Sequence, residues 1–148
     1  MSVGRICVRE VDLTDSGEPV QVAARRMHDR NVGTLVVCDR SKRPVGMLTD
    51  RDLALRVVAE SRDPGRTPVA DVMTQNPQCV QEDTPIETAL RLMRAMPCRR
   101  LPVVDDKGHL VGIFSLDDML TLLTEELNEI STLLKREDPT VLGGTCTK

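Results

Sequence analysis

Apolar Ile86, Ala89, Leu90 and Met93 recur at intervals of three, one and three residues, which places them on one face of a helix. Asp83-Thr84-Pro85 ahead of them offers a capping residue and a proline suited to a first helical turn. The pattern predicts an amphipathic helix ending near Pro97. Apolar runs follow from Leu101 to Val104 and from Leu110 to Phe114, divided by Asp105-Asp106-Lys107-Gly108, residues that tolerate turn backbone. They predict a β-hairpin, after which Ser115-Leu116-Asp117-Asp118 opens a long helix. The same series occurs earlier as a helix from Val20 to Arg30, strands from Leu35 to Asp39 and Val45 to Leu48, and a second helix from Thr49 onward. Short apolar lead-ins near Ile6 to Val11 and Gln78 to Val80 precede the two series, although Cys7 to Leu13 aligns poorly with its counterpart.

A shift of 66 residues lays Pro19 to Val57 on Pro85 to Leu123 without a gap, and ten of those 39 positions are identical. Average residue frequencies of about 6% predict only two or three. Gly46/Gly112 and Asp52/Asp118 are among the identities. The chain therefore reads as an internal β-α-β-β-α repeat, with copy one at residues 6–60, a linker at 61–71 rich in Gly and Pro, and copy two at 72–128. Each half is too small to bury its apolar face alone, so the copies should pack together about a pseudo-twofold axis. The expected fold class is α/β, of the α+β type, with a ligand cleft between the copies.

Composition narrows the function. Lys and Arg total 20 against 23 Asp and Glu, a net charge of −3, and Phe114 is the one aromatic residue. Neither a basic field nor stacking platforms exist for nucleic acid. The N-terminus lacks a secretory h-region and no run approaches a membrane span, so the expectation is a cytoplasmic protein without membrane contact. Five dispersed cysteines form no Cys-x-x-Cys pair, which signals neither disulfide framework nor zinc site. Cys98, beside Arg99 and Arg100, is the one thiol with a basic neighbourhood of the kind that can lower a thiol pKa, although nothing else in the sequence supports reactivity there. His28 and His109 fall on a helix and in a turn with no nucleophile at readable spacing, so no catalytic residue is expected.

Thr49-Asp50-Arg51-Asp52 and Ser115-Leu116-Asp117-Asp118 each set a hydroxyl and a carboxylate three residues apart at a strand-to-helix junction. Two readings fit that spacing. One is a capping box, in which both side chains satisfy free backbone N–H groups. The other is a ligand site, with phosphate at the helix N-terminus and the carboxylate accepting from ribose hydroxyls.

The gapless pair of units, the segment RRLPVVDDKGHLVGIFS and the repeated Gly-x-x-Ser/Thr-x-x-Asp ending closely resemble tandem CBS domains, the Bateman module, over roughly residues 6 to 128. The resemblance implies a regulatory ligand-binding module that requires no cofactor. It would sense an adenosine-containing nucleotide of the AMP, ADP or ATP class in the cleft and signal in trans to an effector protein not identified by the sequence. It implies that Asp52 and Asp118 hold ribose hydroxyls while Thr49 and Ser115 lie near phosphate. It further implies a site built from Met47, Leu48, Thr49, Asp50, Arg51, Asp52 and the backbone near Gln78, with Arg99 and Arg100 reaching across from copy two. The mirror site carries Gly33 and Thr34 where those arginines would stand. Alternatives are a ligand-free structural or dimerisation protein, or a pair that binds S-adenosylmethionine, NAD or a metal ion, for instance zinc at His109 and Cys98.

Beyond copy two, Leu120, Leu123, Leu127, Ile130 and Leu134 advance by three, four, three and four residues. This heptad-type stripe predicts a helical extension over 129–136 and a homodimer. A flexible tail is expected over 137–148.

Overall fold

The computed structural model describes residues 1–96 and 98–136; Pro97 and the expected tail at 137–148 lie outside the described residues. In chain order the elements are β1 (Leu13–Thr14), α1 (Val20–Arg30), β2 (Thr34–Cys38), β3 (Pro44–Thr49), α2 (Asp50–Leu53), β4 (Thr74–Gln75), β5 (Val80–Gln81), α3 (Ile86–Ala95), β6 (Arg100–Val104), β7 (Leu110–Ser115) and α4 (Leu116–Arg136). Residues Met1–Ser115 form one compact unit and α4 belongs to a second. No helix among the described residues is long and apolar enough to cross a membrane.

The repeat is realised as two sheets, ordered β1-β2-β3-β4 and β5-β6-β7. In each, a lead-in strand runs parallel to the first hairpin strand: Thr14 lies beside Val37 and Val80 beside Val103. The hairpins match residue for residue, with Thr34 opposite Thr49 and Arg100 opposite Ser115. Copy one closes its core over Val20, Ala23, Met27, Leu35, Val37, Leu48 and Val57, the helix face and strand positions that the apolar pattern marks. Copy two buries the counterparts Ile86, Ala89, Met93, Leu101, Val103 and Phe114. α1 stops where Asn31 adopts the left-handed conformation at φ 53°, a backbone that asparagine tolerates better than most residues.

The lead-in of copy one differs from expectation. Its strand is Leu13–Thr14, not the stretch from Ile6 to Val11. The earlier residues are engaged by copy two instead: the Val8 N–H donates to the Ile113 carbonyl and the Ile113 N–H donates back, both at 2.9 Å. Shifted by 66, the same exchange joins Thr74 of β4 to Met47 of β3. The correspondence extends along both segments. Val3 N donates to Thr84 O at 2.9 Å and Val69 N to Glu18 O at 2.8 Å, while Gly4 N donates to Glu82 O and Ala70 N to Ser16 O. Residues 1–8 thus complete copy two, and residues 67–75 complete copy one.

This crossing also decides how the helices begin. Thr84 does not cap α3; its Oγ1 accepts from Gln81 N, and Pro85 is the N-cap with no side-chain bond. The first helical N–H, that of Ile86, donates to the Met1 carbonyl, as Val20 N donates to Thr67 O. A backbone carbonyl from the crossing segment thus satisfies the first orphan donor of each helix, where the sequence reading looked to a side-chain cap. The two glycines that recur in the repeat fit this geometry. A Cβ on Gly112 would stand 2.8 Å from Cys7 Sγ and 2.9 Å from Val8 O, and one on Gly46 would meet Met73 Sδ.

Candidate functional site

β3 delivers Met47, Leu48 and Thr49 to the start of α2. Leu48 is fully buried in the copy-one core, which leaves its backbone alone available to a ligand. Thr49 has extended backbone, and its Oγ1 accepts from Asp52 N at 3.1 Å while Asp52 Oδ2 accepts from Thr49 N at 2.9 Å. The capping reading of the Thr-x-x-Asp spacing therefore holds in copy one. The other Asp52 oxygen lies 3.9 Å from Arg56 Nε, and Arg56 also donates to the Val72 carbonyl at 2.9 Å. Asp50 accepts from Arg51 N at 2.8 Å and its own N–H donates to Gly33 O at 3.0 Å. Beside this junction Thr34 is buried, and its Oγ1 has no hydrogen-bond partner. Sequence reasoning noted Thr34 as a missing arginine; the buried orphan hydroxyl needed the fold to be seen.

Contributions from copy two fall in two places. β4 runs beside β3, with Thr74 opposite Met47, and three residues beyond it the exposed Gln78 donates from its side chain to the Cys79 carbonyl. Arg100 stands across from Ser115 in its own hairpin, and Arg99 beside it is exposed. The strand pairing thus joins Arg100 to the Ser115 junction of its own copy. Ser115 is buried. Asp118 falls in the first turn of α4.

Two concavities lie elsewhere among the described residues. One of about 570 Å³ is lined by Thr14, Glu18, Arg26, Cys38 and Lys42 among others, and one of about 260 Å³ by Gln81, Glu82, Asp83 and Asp105 among others. They are repeat counterparts, at the turn end of each hairpin. Cys38 faces Pro44 at that end of β2, whereas Thr34 faces Thr49 at the other. None of the expected site residues lines either one. In the larger, Arg26 bridges Glu18 at 2.8 and 3.1 Å, and Thr14 Oγ1 donates to the same carboxylate. The Arg26 bond foremost, aided by Thr14, holds the Glu18 carboxyl below its usual range against the opposing effect of burial. We regard the strand-to-helix junctions as the better candidate, because both concavities are open and neither is lined by the hydroxyl–carboxylate pairs that recur in the repeat.

The thiols correct one expectation. Cys98 is pushed up, not down: burial dominates, and a hydrogen bond from the Arg100 backbone only partly offsets it. Cys38 and Cys79 are likewise raised by burial. His109 lies 3.3 Å from Asp105 in the β6–β7 turn. Among the described residues no three His, Cys, Asp or Glu side chains are grouped to hold a metal ion.

With this geometry in view, residues 3–59 and 69–125 each match the CBS domain. The chain belongs to the CBS-domain family. Both matches begin at the crossing segments, near Val3 and Val69, so the family unit includes the strand that each CBS copy lends to the other. Among relatives, the CBS domain-containing protein YhcV of Bacillus subtilis is 39% identical over 118 residues, covering 80% of this chain and 82% of that protein. Protein MK0525 of Methanopyrus kandleri is 34% identical over 120 residues, which are 81% of this chain but 61% of that protein. A signal-transduction protein with CBS domains from Burkholderia ambifaria superimposes with a TM-score of 0.76 at 27% identity, over 83% of this chain and 93% of that one. Similar values hold for CBSX2 in complex with AMP (0.71, 26%, 84% and 96%). They hold also for the CBS pair of protein MJ0100 in complex with 5′-methylthioadenosine and S-adenosyl-L-methionine (0.75, 25%, 83% and 99%).

Proposed function

We propose that this CBS pair is a regulatory module without catalysis of its own, which senses an adenosine-containing nucleotide between its copies and signals to an effector protein in trans. The observation that carries the reading is the placement of Thr74 beside Met47, on the strand that ends in Thr49 and Asp52. Groups from both CBS copies meet where a hydroxyl and a carboxylate converge at the start of a helix. The family's solved members support it, since CBSX2 is seen with AMP and the MJ0100 pair with 5′-methylthioadenosine and S-adenosyl-L-methionine. In this proposal Asp52 accepts from the ribose hydroxyls and Thr49 lies near phosphate. The backbones of Met47, Leu48 and Gln78 fix the base, Asp50 and Arg51 line the rim, and Arg99 and Arg100 offset the phosphate charge. Ser115 and Asp118 are assigned the same roles as their repeat counterparts.

A second reading, a scaffold whose junctions serve only as caps, is favoured by the reciprocal Thr49–Asp52 bonds. Titration with AMP, ADP, ATP, NAD and S-adenosylmethionine, followed by calorimetry and thermal shift, separates the two. A ligand that binds only the folded chain adds RT ln(1 + [L]/Kd), about 2.7 kcal/mol at a hundredfold excess over Kd. The sensor reading expects saturable binding lost in Asp52→Ala and weakened in Arg100→Ala. Absence of binding, with Asp52→Ala costing only the about 1 kcal/mol of a cap, establishes the scaffold.

A further inference from the structure

Arg56 bridges the Asp52 junction and the segment that crosses over to complete copy one. Its Nη1 donates to the Val72 carbonyl at 2.9 Å and lies 3.4 Å from that of Met73, while its Nε lies 3.9 Å from Asp52 Oδ1. The carboxylate is divided between two tasks. Oδ2 accepts from Thr49 N at 2.9 Å, whereas Oδ1 is within ion-pair range of Arg56 but beyond a hydrogen bond. Oδ1 is therefore the oxygen that a ligand hydroxyl can take, and the planar guanidinium beside it fixes its direction.

The backbone that Arg56 grips leads out of copy one. Val72 is fully buried in the copy-one core, the Met73 side chain lies against Gly46, and Thr74 pairs with Met47. The chain runs on through Asn76, whose N–H donates to Val45 O, into β5 of copy two. The helix carrying Arg56 is irregular at this point. Ala54–Val58 are wound as a π-helix, and Ala59 N donates to Ala54 O, five residues back; such turns are rare and concentrate at functional sites. Shifted by 66, Arg56 falls on Leu122, a side chain without a donor, inside the α-helix α4. Copy two has no counterpart to this bridge. We propose that Arg56 is a positioning residue of the copy-one site and the link through which its occupancy reaches copy two: it orients Asp52 toward the ribose and passes the restraint to the carbonyls of Val72 and Met73. The inference rests on the nucleotide reading above. Linkage makes it reciprocal, since a nucleotide that tightens the bridge is itself bound more tightly by the same factor.

Calorimetry and amide hydrogen exchange on the whole chain, with AMP and S-adenosylmethionine as probes, test this. In the wild type a bound probe should slow exchange at Val72 and Met73, whose N–H groups bond to Val69 O. Arg56→Met should leave the thermal transition near that of the wild type, because the side chain is 47% exposed. It should nevertheless weaken binding by about fivefold and abolish the ligand-induced slowing at Val72 and Met73, a difference that a merely structural role would not move. Arg56→Lys, which keeps the charge without the fork, should bind with an affinity between the two. If Arg56→Met binds as tightly as the wild type, or keeps the full ligand-induced slowing, the proposal is overturned and the nucleotide reading stands. A wild type that binds neither probe overturns both.

Discussion

Thr49 and Asp52 each donate a backbone N–H to the other's side chain, at 2.9 and 3.1 Å. The pair acts as a unit, so its energetics should be non-additive. Thr49→Ala and Asp52→Ala are each expected to cost about 1 kcal/mol in urea denaturation. The double variant should cost less than the two together, since the second deletion removes a bond already broken. Additive losses would mean that the two bonds stabilise α2 independently.

Gly46 and Gly112 occupy equivalent places but should not respond equally. A Cβ on Gly46 meets the Met73 side chain, whose flexible thioether can move aside, whereas one on Gly112 also meets Val8 O, 2.9 Å away on a hydrogen-bonded backbone. Gly112→Ala should therefore destabilise by about 2 kcal/mol and Gly46→Ala by clearly less. Equal losses would show that the residue 1–8 segment yields as readily as a side chain.

Lys42 adopts φ 62° in the copy-one hairpin, where copy two places Gly108 at φ 83°. A residue with a Cβ pays about 1–2 kcal/mol for that backbone, partly offset by the greater freedom glycine gives the unfolded chain. Lys42→Gly should raise stability by about 0.5 kcal/mol and Gly108→Ala should lower it by about 1 kcal/mol. Matched chemical melts of the two variants read this difference.

The Glu18 carboxylate, with its pKa lowered chiefly by Arg26, imposes a pH dependence of definite sign. A lowered folded pKa gives stability that is present above the unfolded value near 4.5 and lost as pH falls through the folded value. Glu18→Gln should cost about 1 kcal/mol at neutral pH, and the gap to wild type should close in melts below that value. A gap that persists in acid would assign the loss to packing.

Much of this was legible in the chain because the repeat carries it. The helix from Val20 to Arg30 falls where the apolar spacing puts it, and both hairpins follow from runs divided by turn residues. The Thr49–Asp52 cap was readable because it is local, spanning three residues. What escaped was non-local. Nothing around Ile6 to Val11 declares that Val8 pairs with Ile113, more than a hundred residues away. Thr84 likewise looks like a cap until the Met1 carbonyl is found on Ile86 N. The basic neighbours of Cys98 were visible, but the burial that outweighs them was not. The ligand roles of Asp52, Arg99 and Arg100 rest on family resemblance and on the proposal above.

The crossed segments make each half depend on the other for its own completion. A single copy with its own lead-in, such as residues 67–128, holds a strand its hairpin does not use and a hairpin that lacks its strand. Two identical copies would satisfy each other by trading lead-ins, a self-complementary, closed exchange. Joining those two chains end to end yields the arrangement seen here, in which Val8 N bonds Ile113 O while Asn76 N bonds Val45 O. The protein is in this sense a pseudo-dimer held on one thread, with ten identities between its halves.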